Sequence, residues 1–220
     1  MHRRRRTALL LSAAIVAAAP LLTACGNDAH PGAAAVVGGQ RITVAQLESR
    51  VNEVRTAQRA ATPDQAQYAQ TVARTGSLTR DTLHTMVLDR VLNQAAKSAG
   101  VTVTRKDVQS LRAALEQQAG GAKELETAWL QQYGVAPAHL EDSLHTEIVA
   151  QKLAAALGAD MNTTDGQATF WKAMSEASKT LDVDLNPRYG TWDVQKSSRI
   201  DAKTPWVREI TAANAGQGTA

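Results

Sequence analysis

From Thr43 to Gly158 the apolar residues of this chain recur at intervals of three and four, in runs that open on a capping residue and close on glycine. That period lines one face of a helix, and several such faces in succession are buried only by packing helices on one another or on a small sheet. Thr43 and Gln46 form a Thr-x-x-Gln capping box ahead of Val44, Leu47, Val51 and Val54. A second helix is predicted over 78–98, where Leu83, Val87, Val91 and Ala95 form a stripe flanked by Met86 and Leu88, with Gly100 as C-terminal cap. Thr104 and Asp107 frame a third, with Val108, Leu111 and Leu115 inside and Gly120-Gly121 closing it. A shorter helix over 122–133 ends at Gly134. Leu140, Leu144, Ile148, Val149, Leu153 and Leu157 give the most strongly amphipathic run, with Pro137 near its first turn and Gly158 as its stop. "TTDGQATFWKAMSEASKTL" reads as one more helix, containing Phe170, Trp171 and Met174, whereas "ATPDQAQYAQTVARTGS" reads as a weak helix or an ordered loop.

Strand signals occur only at the two ends of this helical region. Gly38-Gly39 separates two short apolar pieces, as in a tight hairpin. Near the other end Leu181, Val183 and Leu185 alternate with Asp182 and Asp184, the chain turns at Asn186-Pro187-Arg188, and Tyr189, Trp192 and Val194 resume the strand. Arg188 reads as shaping or capping that turn, with a ligand role as the weaker alternative, and Tyr189 and Trp192 as the packing that fixes sheet to helices. Only 4% of residues are aromatic and much of the apolar content is alanine, which favours closely packed helices over a modest core. The expected fold class is mainly α: a helical bundle with a small β-sheet formed by the N-terminal hairpin and a C-terminal strand, over residues 35–195. Residues 196–220 are expected to be a poorly ordered tail, docked by Trp206.

The first residues, "MHRRRRTALLLSAAIVAAAPLLTAC", set four arginines before a short apolar stretch and small residues, the three regions of a secretory signal. The apolar run from Ala8 to Ala19 is shorter than the roughly 20 residues a membrane-spanning helix needs. Leu22-Thr23-Ala24-Cys25-Gly26 resembles the bacterial lipobox, in which a diacylglyceryl group is placed on the thiol before cleavage just ahead of it. Cys25 is the one cysteine of the chain, so neither an internal disulfide nor a thiolate zinc site is available to it. The resemblance implies a signal peptide over 1–24, lipidation at Cys25, a flexible tether over 25–34, and a protein held at the extracytoplasmic face of the cell membrane. Two acyl chains anchor stably where one binds reversibly. The chain has 24 Lys+Arg and 21 Asp+Glu, but Arg3 to Arg6 all precede the cut, which leaves 20 against 21 and no basic footprint for nucleic acid.

Motifs of catalysis are missing. The sequence has neither a phosphate-binding Gly-rich loop with Lys-Ser/Thr nor a His-Glu-x-x-His helix, so neither a nucleotide nor another cofactor is expected. His139 and His145 are six residues apart, about 240° around a helix, and cannot ligate one ion. Glu141 and His145 read as an exposed acid–imidazole pair rather than a metal site. Ser143 beside His145 lacks an oriented Asp. No catalytic residue and no metal ligand is assigned.

"AVVGGQRITVAQLESRV", "LDRVLNQAAKSAGVTVTRKDV" and "YGVAPAHLEDSLHTEIVAQKL", taken in order, resemble the N-terminal chaperone region of the SurA and PrsA type of extracytoplasmic foldase, from about residue 35 to 157. The opening strand departs mildly, with Val37-Gly38-Gly39 where the family commonly has Val-Asn-Gly. "NPRYGTWD" resembles the closing strand of actinobacterial lipoproteins of this type. Many members insert a parvulin-type prolyl isomerase domain, but here the residues between Leu157 and Leu181 read as a single helix. The resemblance therefore implies a holdase for unfolded or newly exported polypeptides, without isomerase activity. The candidates for its client surface are the aromatic and Met set Trp129, Tyr133, Phe170, Trp171 and Met174, with ordinary core packing the favoured reading for each taken alone. The competing reading is a structural or adaptor lipoprotein that docks one dedicated envelope partner.

Overall fold

The structure is a computed structural model that describes residues 32–201. The signal segment, Cys25 and Trp206 lie outside the described residues. Strand β1 (Ala33–Val37) and strand β2 (Gln40–Thr43) form the expected hairpin. Helices α1 (Val44–Ala61), α2 (Gln65–Arg74), α3 (Leu78–Ser98), α4 (Arg105–Ala119), α5 (Ala122–Tyr133), α6 (Leu140–Ala156) and α7 (Thr164–Leu181) follow. Strand β3 (Asp184–Leu185) then pairs antiparallel with β1, giving the sheet order β2-β1-β3. Strands β4 (Thr191–Asp193) and β5 (Ser198–Ile200) make a separate hairpin. The mainly helical fold with a small sheet, closed by a C-terminal strand, is as the sequence implies.

Local chemistry accounts for the helix starts. The Thr43 hydroxyl accepts from the Gln46 N–H while the Gln46 side chain accepts from the Thr43 N–H, and Thr104 with Asp107 repeats the device. Thr163 caps α7 through the Gly166 N–H. The equivocal segment after α1 is helical from Gln65 to Arg74, with the Asp64 side chain accepting from the Gln67 N–H. Pro137 falls in a single 3-10 turn, Pro137–His139, that leads into α6.

Packing divides among a main core and two smaller ones, the last formed by Val54, Leu78, Leu130 and Ala136. Leu47, Leu83, Val87, Val91, Leu153 and Met174 are fully buried together with the alanines of β1, where small side chains let the strand lie close to its helices. Each large side chain so buried is worth about 1.5–3 kcal/mol. Val108, Leu125, Leu140, Leu144 and Ile148 form the second core, between α4, α5 and α6. Helix α6 serves the first two, since Val149, Leu153 and Ala154 on its other side belong to the main core.

Three boundaries differ from the sequence reading. The first strand begins at Ala33, inside the segment expected as tether, and Ala33 and Ala34 are fully buried. The predicted strand from Leu181 shrinks to two residues, because α7 continues through Leu181 and Asp182 takes a left-handed conformation to end it. Leu181 still joins the chain ends. Its carbonyl accepts from the Gly38 N–H at 2.6 Å, and a Cβ on Gly38, whose φ is +59°, would lie 2.8 Å from the Leu181 side chain. That left-handed conformation favours glycine. Finally, residues 198–200, placed in the expected tail, form β5.

Candidate polypeptide-binding grooves

The five expected contact residues do not form one surface. Phe170 and Met174 face inward from α7 and are core residues, 7% and 1% exposed, which removes them from any client-contacting set. Trp171 points outward on the same helix, 42% exposed, with its ring edge-on to Phe170. Trp129 and Tyr133, one turn apart on α5, lie tilted against each other with ring centres 4.9 Å apart. Trp129 leans on the second core and donates from Nε1 to Ser143 Oγ at 3.0 Å, leaving Tyr133 as the exposed partner at 56%. Aromatic residues at helical spacing in the sequence could not be sorted into these roles, because which side of α7 faces α3 is decided by the fold.

What the fold does build is a pair of open grooves beside α1 and α3. The larger, about 700 Å³, lies between α1, α3 and α6. Its walls present Gln46, Asn93, Ser143, His145 and Thr146, with two half-buried apolar side chains, Met86 and Val135. The smaller, about 550 Å³, is bounded by α2, the end of α1, the start of α3 and the end of α5. Tyr133 and Gly134 line the smaller groove and Val135 the larger, so the turn after α5 is the ridge between them.

Charged groups of the larger groove are held by hydrogen bonds and ion pairs. Arg50 of α1 bonds Asp142 of α6 at 3.3 Å, and the Thr146 hydroxyl donates to Asp89 of α3 at 2.7 Å. His139 stands between Glu53, through Nε2, and Asp142, through Nδ1 at 3.2 Å. Carboxylates only accept, so both contacts are hydrogen bonds at once only when both ring nitrogens carry protons. Partial burial raises the Glu53 carboxyl's pKa, but hydrogen bonds from His139 and Ser49 and the charge of His139 and Arg50 outweigh it, leaving the group below its ordinary value. Arg90 closes one end by donating to the carbonyl oxygens of Gln40 and Arg41, at 3.0 and 3.4 Å, on the edge strand β2. A strand edge so covered is protected from pairing with another chain.

The expected Glu141–His145 pair is replaced by another arrangement. Glu141 bonds Arg112 of α4 at 3.1 Å, and Arg112 also holds Glu116 at 2.7 Å and Glu126 at 3.7 Å, tying α4, α5 and α6 together. Lys152 of α6 bonds Asp107 at 2.8 Å. The hydrogen bond from Lys152, with those from the Thr104 N–H and hydroxyl, lowers the Asp107 pKa to about 2. Among the described residues no group of three or more His, Cys, Asp or Glu is placed to hold a metal ion. No described helix is long and apolar enough to cross a membrane. The larger groove thus sets two arginines and two histidines among three carboxylates and is rich in hydroxyl and amide groups with a little apolar surface, a lining that can hydrogen-bond main-chain amides.

Asn186 rather than Arg188 caps the turn after β3: its Oδ1 accepts from the Arg188 backbone N–H at 3.2 Å, and the Arg188 guanidinium lies 5.3 Å from the Tyr189 ring centre. Tyr189 is buried in the main core, and Trp192 donates from Nε1 to the buried Ser178 of α7. Sequence reasoning missed the larger groove because its lining is polar and comes from α1, α3 and α6, with no local pattern to mark it.

Comparison with protein families matches the SurA-like N-terminal domain over residues 1–154. Comparisons with curated proteins and with solved structures found no match. The matched region holds the opening hairpin, both grooves' helices and nearly all of α6, while α7 and the closing strands lie beyond it. Matched over well more than half its length, the chain belongs to the SurA-like N-terminal domain family.

Proposed function

We propose that this chain is an extracytoplasmic lipoprotein, anchored through Cys25, that holds unfolded or extended polypeptides without isomerising them. Membership of a chaperone-like family supports polypeptide binding in general. The observation that carries the reading further is the larger groove, open, of mixed charge and lined by hydroxyls and amides around Met86 and Val135. Such a lining grips backbone rather than a particular side-chain sequence, as a holdase requires. Between α6 and β3 the chain builds the single helix α7, which accords with binding in the absence of an inserted isomerase. The protein would act by mass action, lowering the free concentration of aggregation-prone chains near the membrane.

The chain from Gly26, which contains every described element, should suppress light scattering by several unrelated aggregating proteins at near-stoichiometric ratios. Absence of suppression, with one stoichiometric envelope partner, would instead establish the adaptor reading. For the anchor, Cys25→Ser is expected to move the protein from the membrane to the soluble fraction or leave it uncut. Normal processing with undiminished membrane partition would overturn lipidation.

A further inference from the structure

Helix α2 is ten residues long and buries none of them. A helix this short is marginal in water without packing. What holds it is polar and peripheral: Arg59 of α1 lies 4.7 Å from the Tyr68 ring centre, and Arg55 donates to the Thr75 carbonyl at 2.8 Å. Its half-buried Thr71 lines the smaller groove. Leu78 and Leu130 also line that groove, each nearly buried, and Tyr133 stands exposed at its rim.

The described chain ends close to this groove. Asp201 pairs with Arg80 at 3.8 Å, and Arg80 lies between Leu78 and Asp81, both of which line the groove. Residues 205–210 read Pro-Trp-Val-Arg-Glu-Ile. Trp206 follows Asp201 by five residues, an extended reach of about 17 Å, whereas Arg80 is only about 3 Å along the helix axis from Leu78. Glu209 and Arg208 of the segment are opposite in charge to Arg74 and Asp81 of the groove lining.

We propose that the segment Pro205–Ile210 of this same chain occupies the smaller groove, with the Trp206 indole over Leu78 and Leu130 beside Tyr133. The occupant supplies the apolar cover that α2 lacks, and the Arg80–Asp201 pair sets where the segment enters. The inference does not depend on client binding, since it concerns an intramolecular contact.

The test labels the full chain with fluorotryptophan, which gives signals for Trp129, Trp171, Trp192 and Trp206; the one lost in Trp206→Phe identifies the fourth. That signal is expected to be shielded from a soluble paramagnetic agent, at all protein concentrations, and to shift when Tyr133→Ala or Thr71→Asp is introduced while the Trp192 signal stays put. In parallel, Trp206→Ala should raise amide exchange across residues 65–74 at least tenfold and leave α3 unchanged. A Trp206 signal as accessible as free tryptophan and insensitive to both groove substitutions would overturn the proposal. So would unchanged exchange in α2, and so would shielding that disappears on dilution, which would mean a second copy as occupant.

Discussion

His84 sits on α3 beneath the C-terminal hairpin, its ring 5.7 Å from that of Trp192. Among the described residues its buried Nδ1 has no hydrogen-bond partner, and the same holds for Ser197 Oγ and Arg199 Nε on the hairpin. Burial lowers the imidazole pKa below its ordinary 6.5 and the Arg199 charge lowers it further, against an opposing pull from Asp81. The folded chain therefore favours neutral His84. The stability this contributes is complete above the unfolded value near 6.5 and is lost as pH falls from there toward the folded pKa. Thermal unfolding should drop in midpoint between pH 7.5 and 5, and His84→Phe should flatten that drop; an identical pH slope in the variant would contradict the assignment. Gly166 makes a steric prediction of a different kind. A Cβ there would lie 1.9 Å from the Asp160 carbonyl oxygen, a backbone atom with no freedom to move aside. Gly166→Ala should cost about 3 kcal/mol in denaturant unfolding, and a loss below about 0.5 kcal/mol, the range of ordinary surface changes, would mean the loop before α7 yields.

Helix ends were legible because capping chemistry is local. Thr43 with Gln46 and Thr104 with Asp107 lie three residues apart in sequence and make the reciprocal bonds that spacing implies. Thr43→Ala should therefore destabilise the chain by about 1 kcal/mol in chemical unfolding, with no change if α1 draws its start from the hairpin alone. Strand pairing was only partly legible. The alternation at Leu181, Val183 and Leu185 marked the right place, but whether Leu181 ends a helix or begins a strand depends on its contact with Gly38, far away in sequence. Strand β5 carried no apolar run; pairing with β4 creates it, and Arg199 reaches from it to the Tyr189 carbonyl at 3.1 Å.

Across the whole molecule the chain ends cooperate: β3 joins β1, α7 packs on α3, and the second hairpin leans on α3 near the start of the smaller groove. The family match stops at residue 154, and the half-turn of α6, α7 and the strands beyond it complete the main core. Family and architecture could be read from the order of helices and hairpins. The binding surface could not: amphipathic stripes sent Phe170 and Met174 inward, and the larger groove gathers polar residues from helices distant in sequence. The central claim is that this groove holds extended polypeptide, and affinity for an unfolded client tests it most directly. Val135→Asp and Asn93→Ala are each expected to weaken binding, Val135→Asp by about tenfold, equivalent to about 1.4 kcal/mol, while Trp171→Ala leaves it unchanged. Equal affinity in all four proteins, or a loss confined to Trp171→Ala, would contradict it.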